Sequence, residues 1–575
     1  MSRLTVTRSR RVRRALLLGG AFVVVVWALA AGMTMLRGYM DARDGVQRLE
    51  TARESLSPEQ LLRGEGRDDL EAALAEFETA HDRGSSPLLW PVRPIPVLGR
   101  QLDTFASMAD ATAATLEAGI EGIERVNDEV PADTEIESEE RADVLRAVAS
   151  IAADLDTEVA AADLGPSDGL VRPLADARRR LEMELDGLHR GLVRGIGAAT
   201  GLADVLADDG SYLLLITNNA EMRAGSGMIL RVGRLDVADG SIAIEDLQSA
   251  GAPLDAAVEA DSELLDNWGW LEPAQRFQNA GVTPRFDVVA PIAERIWLAR
   301  GGAPVDGVLA LDVVALRSIL EATGSIEVEG REIDADNIED EIFVQQYAEG
   351  VDQEERLGDI AEGVLDALQD GNWELATLAE QLRVAANGRH LLAWSADPAE
   401  EQAWEDAGVA GTLDDDSLLV SALNLGGNKL DQFVTIEAVL AVEDIADGWL
   451  VTVDLVLRND APDDAPDVVL GPFGGSGFSR GEYVGILTAH VPGDASSVSL
   501  DGGDRGVVRA SDGASEVVGS LVRLAAGGKR ELRLRFVLPD ADRSLVVEPS
   551  ARLPAIQWQT GGLEWSDEAS KVLEW

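Results

Sequence analysis

The sequence predicts a multidomain α+β protein with a single N-terminal transmembrane helix, a helical bundle, an α/β domain and a C-terminal β-sandwich. Three observations carry that prediction. An uncharged, apolar run of 22 residues extends from Ala15 to Leu36 behind six arginines. From Met40 to about Leu206 apolar residues recur at helical spacing, and past about Asn424 strict alternation replaces that period. The expected divisions are a basic cytoplasmic tail over 1–14, an anchor over 15–36, the bundle over 37–206, the α/β domain over 207–395, and the sandwich with its lead-in over 396–575.

As helix, the Ala15–Leu36 run spans about 33 Å at ~1.5 Å per residue, enough for a hydrocarbon core of roughly 30 Å. Arg3, Arg8, Arg10, Arg11, Arg13 and Arg14 all precede it, so the positive-inside tendency keeps the amino terminus in the cytoplasm and places the bulk outside. A cleaved signal peptide is the alternative, with Ala30-Ala31-Gly32 resembling a cleavage site. Its apolar core would be shorter, ~7–15 residues, whereas this run continues through Met33, Met35 and Leu36. The expectation is an uncleaved, single-pass anchor.

At 575 residues the chain is too long for one core. It has no cysteine and four scattered histidines, which excludes disulfides and thiol chemistry and disfavours a zinc enzyme. A formal charge of −54 argues against nucleic acid as a partner, because such a surface repels phosphate backbones. Lysine is confined to Lys429, Lys529 and Lys571.

Within the bundle, Ser57-Pro58-Glu59-Gln60 reads as a helix start, with serine as cap and proline in the first turn. Val144, Val148, Ile151, Leu155 and Val159 form one apolar stripe, and Leu181, Leu185, Leu188 and Leu192 another. Trp90-Pro91-Val92-Arg93-Pro94-Ile95-Pro96 cannot be helical throughout and is expected as a rigid, extended connector. Glu135 to Glu140 reads as a solvated acidic stretch.

The texture changes near Ser211. Tyr212–Ile216 and Val308–Leu311 are short continuous apolar runs, the mark of strands buried on both faces. Asp312 should cap a helix that stops at Gly324, with Ile326–Val328 resuming as strand. Helices at 355–369 and 373–386 and a strand at 390–394 complete the alternation expected of an α/β layer. Trp449, Val451, Val453, Leu455 and Leu457 then alternate with polar residues, as do Leu532, Leu534, Phe536 and Leu538, which predicts the sandwich.

The leading candidate site is Asn218-Asn219-Ala220-Glu221-Met222-Arg223-Ala224-Gly225-Ser226-Gly227, at the end of a buried strand where open α/β sheets place ligands. Asn218 and Asn219 offer amides, Glu221 a carboxylate, and Arg223 a fork suited to phosphate. A tight turn in which Glu221 and Arg223 pair with neighbours is the structural alternative. A second polar cluster, Asn424, Asn428 and Lys429 in Asn424-Leu425-Gly426-Gly427-Asn428-Lys429, could either complete a pocket or make an interdomain turn. Trp268-Gly269-Trp270 could stack on sugar rings or plug a domain surface.

The 218–241 stretch resembles the DUF4012 family of uncharacterised envelope-associated proteins. So do Leu98-Gly99-Arg100-Gln101, Asp306–Leu309 with Asp312, Arg389-His390-Leu391-Leu392, Asn424 to Asp431, Arg458–Pro462 and Tyr483 to Gly493. Behind that, the middle region is similar to the LytR-CpsA-Psr phosphotransferases. That likeness aligns Arg223 and Val305–Val328, and it implies that Arg356, in Glu354-Glu355-Arg356, grips a pyrophosphate. The sequence departs from it where Tyr347-Ala348-Glu349-Gly350 replaces paired arginines and where Leu357, in place of glutamine, follows Arg356.

Three functions are then open. One is an envelope protein that binds a phosphorylated or lipid-linked glycan through Asn219, Arg223 and Arg356 without established catalysis. Another is a glycopolymer phosphotransferase acting on polyprenyl-pyrophosphate substrates with Mg2+ or Mn2+ held by carboxylates such as Glu221. The third is a structural assembly partner. No cofactor is certain, and the membrane is the expected partner in each.

Overall fold

The computed structural model describes residues 30–49, 51, 66–129, 140–207, 209–238, 240–345, 353–369, 373, 375–472, 477–540 and 544–575. Most of the predicted tail and anchor, the helix start at Ser57, the acidic stretch up to residue 139 and the Tyr347–Gly350 segment lie outside the described residues. Among the described residues no helix is long and apolar enough to cross a membrane. The chain forms a multidomain α+β structure, helical in its N-terminal region and sheet-rich in its C-terminal region. It divides into two compact bodies, one of Met1–Thr134 with Val144–Ala199 and one of Glu135–Asp143 with Thr200–Trp575.

The first body is helical, built on α1 (30–49), α2 (Arg67–Gly84), α3 (Pro96–Glu129), α4 (Arg141–Ala160) and most of α5 (Arg172–Ala207). Small residues bring α2 and α3 close: Ala73 and Ala80 are buried on one, Ala106, Ala109 and Ala113 on the other. A Cβ on Gly84 would lie 3.0 Å from the Phe105 ring. Of the predicted stripes, Ile151 and Val159 are buried, while Leu188 on α5 is exposed.

The Trp90–Pro96 segment corrects one expectation. It is a string of turns, not an extended connector. Pro87–Leu89 make a 3-10 turn, Val92 N donates to Leu89 O and Ile95 N to Val92 O (2.9 Å each), and Pro96 opens α3. Proline's fixed φ near −65° suits turns and helix starts as well as extended chain. Here the residues between the prolines supply the turn donors.

The second body contains a five-stranded mixed sheet of β1 (Gly210–Met222), β2 (Gly227–Ala238), β3 (Ser241–Ser249), β4 (Gly307–Leu311) and β7 (Leu391–Ser395), ordered β3-β2-β1-β4-β7. Strand β1 is central, antiparallel to β2 and parallel to β4. Leu213–Ile216 are fully buried, as a continuous apolar run requires. Helices α6 (Ser262–Trp268) and α7 (Phe286–Ala299) help form a core with Trp268, Phe277, Ile296 and Trp297. Each such side chain removed from water contributes roughly 1.5–3 kcal/mol.

Helix α8 (Val313–Thr323) is capped by Asp312, whose carboxylate accepts from Val314 N (2.9 Å) and Ala315 N (3.2 Å), and it stops at Gly324 as predicted. The next strand departs from expectation. Among the described residues Ile326–Val328 (β5) pairs only with Arg331–Ile333 (β6), outside the main sheet. Glu329 and Gly330 both take positive φ, so a two-residue turn of the hairpin type reverses the chain at once. Helices α9 (Gln353–Gln369) and α10 (Leu375–Asn387) follow near their predicted places, with α11 (Pro398–Ala407) after β7.

The sandwich is two six-stranded sheets. One is ordered β12-β15-β10-β9-β17-β18, the other β13-β14-β11-β8-β16-β19. In chain order the strands are β8 (Ser417–Asn424), β9 (Val434–Ile445), β10 (Gly448–Asn459), β11 (Tyr483–Pro492), β12 (Ser496–Asp501), β13 (Arg505–Asp512), β14 (Ser515–Leu524), β15 (Lys529–Leu538), β16 (Ser544–Glu548), β17 (Gln557–Thr560), β18 (Leu563–Ser566) and β19 (Lys571–Glu574). The alternating residues of β10 and β15 face a shared core, Val453 opposite Leu534 and Leu455 opposite Leu532. Gly448, at φ 135°, is obligatory as the first residue of β10, because a Cβ there would lie 2.0 Å from Leu538 O.

The β8–β11–β14 layer is buried on both faces. Leu418, Val420 and Leu487 enter the sandwich core, whereas Leu423, Ile486 and Val517 join the core of the mixed sheet and α7. The mixed sheet and the sandwich therefore share one continuous interior.

Candidate functional site

The predicted site segment is the β1–β2 connection. The ladder shifts register between Asn218 and Met222, leaving a bulge. Asn218 Oδ1 accepts from Ala220 N (2.9 Å), and Arg223 N donates to Ser226 O (2.8 Å). Gly227 must be glycine: a Cβ would lie 2.2 Å from the Asn218 carbonyl carbon. The bulge directs Asn219, Glu221 and Arg223 into the junction between the mixed sheet and the sandwich.

Arg223 is buried and committed to neutral acceptors. Its Nη1 donates to Met222 O (2.9 Å) and Asn424 O (3.1 Å), while Nε and Nη2 donate to Asn279 Oδ1 (3.3 and 3.0 Å). Burial pushes its guanidinium pKa down, with Glu221, Asp431 and Tyr483 opposing. Glu221 is paired with Lys429 in a buried ion pair. The first site segment and the second polar cluster thus meet.

Asp431 is their hub. It is fully buried and accepts from Met222 N (3.0 Å), Asn424 Nδ2 (2.8 Å), Tyr483 Oη (3.1 Å) and Arg552 Nη1 (3.1 Å). Burial drives its carboxyl above the usual range, and Arg552 leads the groups that oppose the rise. Asn424 Nδ2 also donates to Asn428 O and Oδ1 (3.1 Å each), and Asn428 Nδ2 reaches Glu482 O (3.0 Å).

A second centre lies at the start of α8. Asp312 Oδ2 accepts from Asn219 Nδ2 (2.7 Å) and faces His390 Nδ1 (2.6 Å). A carboxylate offers only acceptors, so Nδ1 carries the hydrogen and the ring is fixed in orientation. Asn219 Nδ2 also reaches Ala551 O (2.8 Å). Two amide atoms of the segment, Asn218 Nδ2 and Asn219 Oδ1, are buried without a hydrogen-bond partner.

Residues 208–347 match DUF4012, described as a protein of unknown function. The matched stretch contains β1 to β6 with Asn218, Asn219, Glu221, Arg223 and Asp312. Arg356, His390, Lys429 and Asp431 lie beyond it. No curated protein matches the chain. The crystal structure of the Lin1025 protein from Listeria innocua aligns at 10% identity over 38% of this chain and 86% of its own, with a TM-score of 0.21. A likeness so slight bears on neither fold nor function.

Arg356, on α9, stands among other partners. It is buried, its Nη2 donates to Glu341 Oε2 (2.6 Å), and Glu329 lies 3.9 Å from Nη1. None of these contacts is shared with Arg223. Among the described residues no group of three histidine, aspartate or glutamate side chains is placed to hold a metal ion. Trp268 is a core residue, while Trp270 is exposed.

Sequence reasoning missed the Asp312–His390 pair and the Asp431–Arg552–Tyr483 knot. Asp312 was legible as a cap and Asp431 as part of a polar cluster. Nothing local marks Arg552, 121 residues away from Asp431.

Proposed function

We propose that the chain is a membrane-anchored envelope protein, its amino terminus cytoplasmic and its bulk outside, whose outer part serves as a structural assembly partner. The observation that carries this reading is the internal use of each predicted cation. Lys429 is paired with Glu221, Arg356 with Glu341, and Arg223 donates to carbonyl and amide oxygens. A pyrophosphate would have to displace buried partners from each, at several kcal/mol per charge. The anchor reading rests on the Ala15–Leu36 run behind its arginines.

A phosphorylated or lipid-linked glycan is the second reading; the orphaned amide atoms of Asn218 and Asn219 are fully buried, so a sugar hydroxyl would reach them only if the junction opened. The LytR-CpsA-Psr likeness extends it to phosphotransfer, for which Arg223 and Arg356 would have to act on one pyrophosphate.

The test is titration of the full chain in detergent with a polyprenyl-pyrophosphate analogue. Assembly predicts no saturable binding, and a lower melting temperature for Arg223→Ala. Saturable binding that Arg223→Ala abolishes while the melting temperature holds would overturn it in favour of ligand binding. Turnover in the presence of Mg2+ or Mn2+ would then mark an enzyme.

A further inference from the structure

The turn-rich segment between α2 and α3 carries an exposed apolar surface in a position that specifies its partner. Trp90 is 63% exposed and Val97 62%, with Ile95 and Leu98 also open. Four prolines, Pro87, Pro91, Pro94 and Pro96, stiffen it. From Gly84 to Leu102 there is no acidic residue, in a chain of net charge −54, and Arg93 and Arg100 supply positive charge. Arg93 Nε is buried without a hydrogen-bond partner, and its guanidinium is ion-paired with Asp103 at 3.8 Å, leaving Arg100 as the less encumbered cation.

What fixes its location is α1. Ala31 of that helix is buried in a cluster with Leu89 and Leu102, with Met35 and Val92 packed against them. Ala31 and Met35 lie within the last six residues of the apolar run that ends at Leu36. The segment is therefore clamped to the helix at the level where the predicted span leaves the hydrocarbon. That is the depth at which tryptophan and arginine are favoured, one in the headgroup layer and the other against phosphate.

We propose that Trp90–Leu98 is a second membrane contact, a proline-stiffened loop that seats Trp90, Ile95, Val97 and Leu98 in the interfacial layer of the bilayer beside the anchor. This rests on the anchor reading above. Its rigidity lowers the entropy lost on seating, and with no acidic residue of its own between Gly84 and Leu102 it meets anionic headgroups without direct repulsion. Two contacts, one spanning and one interfacial, restrict tilt of the first body in a way that a single helix cannot.

The cysteine-free chain allows one probe to be placed at will. Full-length Val97→Cys, labelled with an environment-sensitive fluorophore, is reconstituted in phosphatidylcholine–phosphatidylglycerol vesicles with or without lipids quenching at headgroup depth. Alkaline extraction of the same vesicles reads the anchor independently. The expected result is a blue shift and at least about twofold quenching, reduced by Trp90→Asp at unchanged thermal stability. A chain that resists extraction while the probe remains water-like overturns the interfacial contact and leaves the anchor. A chain that extracts but still shows quenching overturns the anchor and leaves the contact. Failure of both readouts overturns both. A blue shift in detergent that grows with protein concentration assigns the face to a second copy and overturns the lipid assignment.

Discussion

Asp431 and Arg552, both fully buried, tie together four stretches of chain that are distant in sequence. The carboxylate takes the Arg552 guanidinium at 3.1 Å, the Met222 amide of the mixed sheet and the Tyr483 hydroxyl of the sandwich, while Arg552 also donates to Val434 O (2.8 Å). The pair is thus a fastening between two sheets. Its energetic worth lies less in attraction than in the cost of leaving either charge alone.

Arg552→Met should therefore destabilise the second body by about 3–5 kcal/mol, because Asp431 is left buried without its cation. Adding Asp431→Asn should recover part of the loss. Denaturant unfolding of the three variants measures the coupling, and strict additivity of the two changes would count against it.

Asp312→Ala removes a helix cap and strands both Asn219 and His390. The combined loss should be about 2–4 kcal/mol, larger than for a cap alone. Histidine NMR signals should show His390 losing its fixed tautomer, while His490, held by Asp512 at 3.0 Å, is unchanged.

The pH dependence has a definite sign. Burial raises Asp567 from 3.8 to about 7 against the hydrogen bonds from Ser550 and Ile556, which favour its charged form, and burial raises Glu401 from 4.5 to about 7. Between those ordinary values and about 7 the folded chain holds protons that the unfolded chain has shed, so stability falls as pH rises, by at most about 1.4 kcal/mol per unit for each group. Asp512 acts oppositely. Burial would raise it, but His490, Thr283 and Arg285 together hold it low, so its contribution is present above 3.8 and is lost on acidification. Melting temperature against pH should decline toward neutrality, and Asp567→Asn should flatten that decline.

Gly227→Ala should cost about 1–3 kcal/mol by forcing apart the β1–β2 bulge against the Asn218 backbone. Gly561→Ala, at a turn where nothing crowds the added carbon, supplies the contrast: its positive φ of 52° gives a milder strain. Thermal melts of the two variants should separate close approach from backbone strain.

Much of the fold was legible because its signals are local. Asp312, the apolar stripe of α8 and Gly324 announce one helix from end to end, and the alternation of β10 and β15 survives intact. Tyr212–Ile216 read correctly as buried on both faces. The failures share one cause. Turn geometry after proline and the fate of Ile326–Val328 depend on a few φ angles, which residue type constrains without deciding. The site was half legible. Its polar residues stood out in sequence, but whether a buried arginine meets a ligand or a carbonyl depends on chain segments hundreds of residues apart, such as Asn424 with Arg223.

The DUF4012 match stops at residue 347, yet the mixed sheet needs β7, 44 residues later by its first residue, Leu391, to cover the far side of β4. Its apolar floor is completed later still, by Leu423, Ile486 and Val517. The matched stretch therefore stops short of the residues that complete its own sheet and core. Cut at residue 347, the sheet would lose β7 from the edge of β4 and expose apolar surface that Leu423, Ile486 and Val517 now cover.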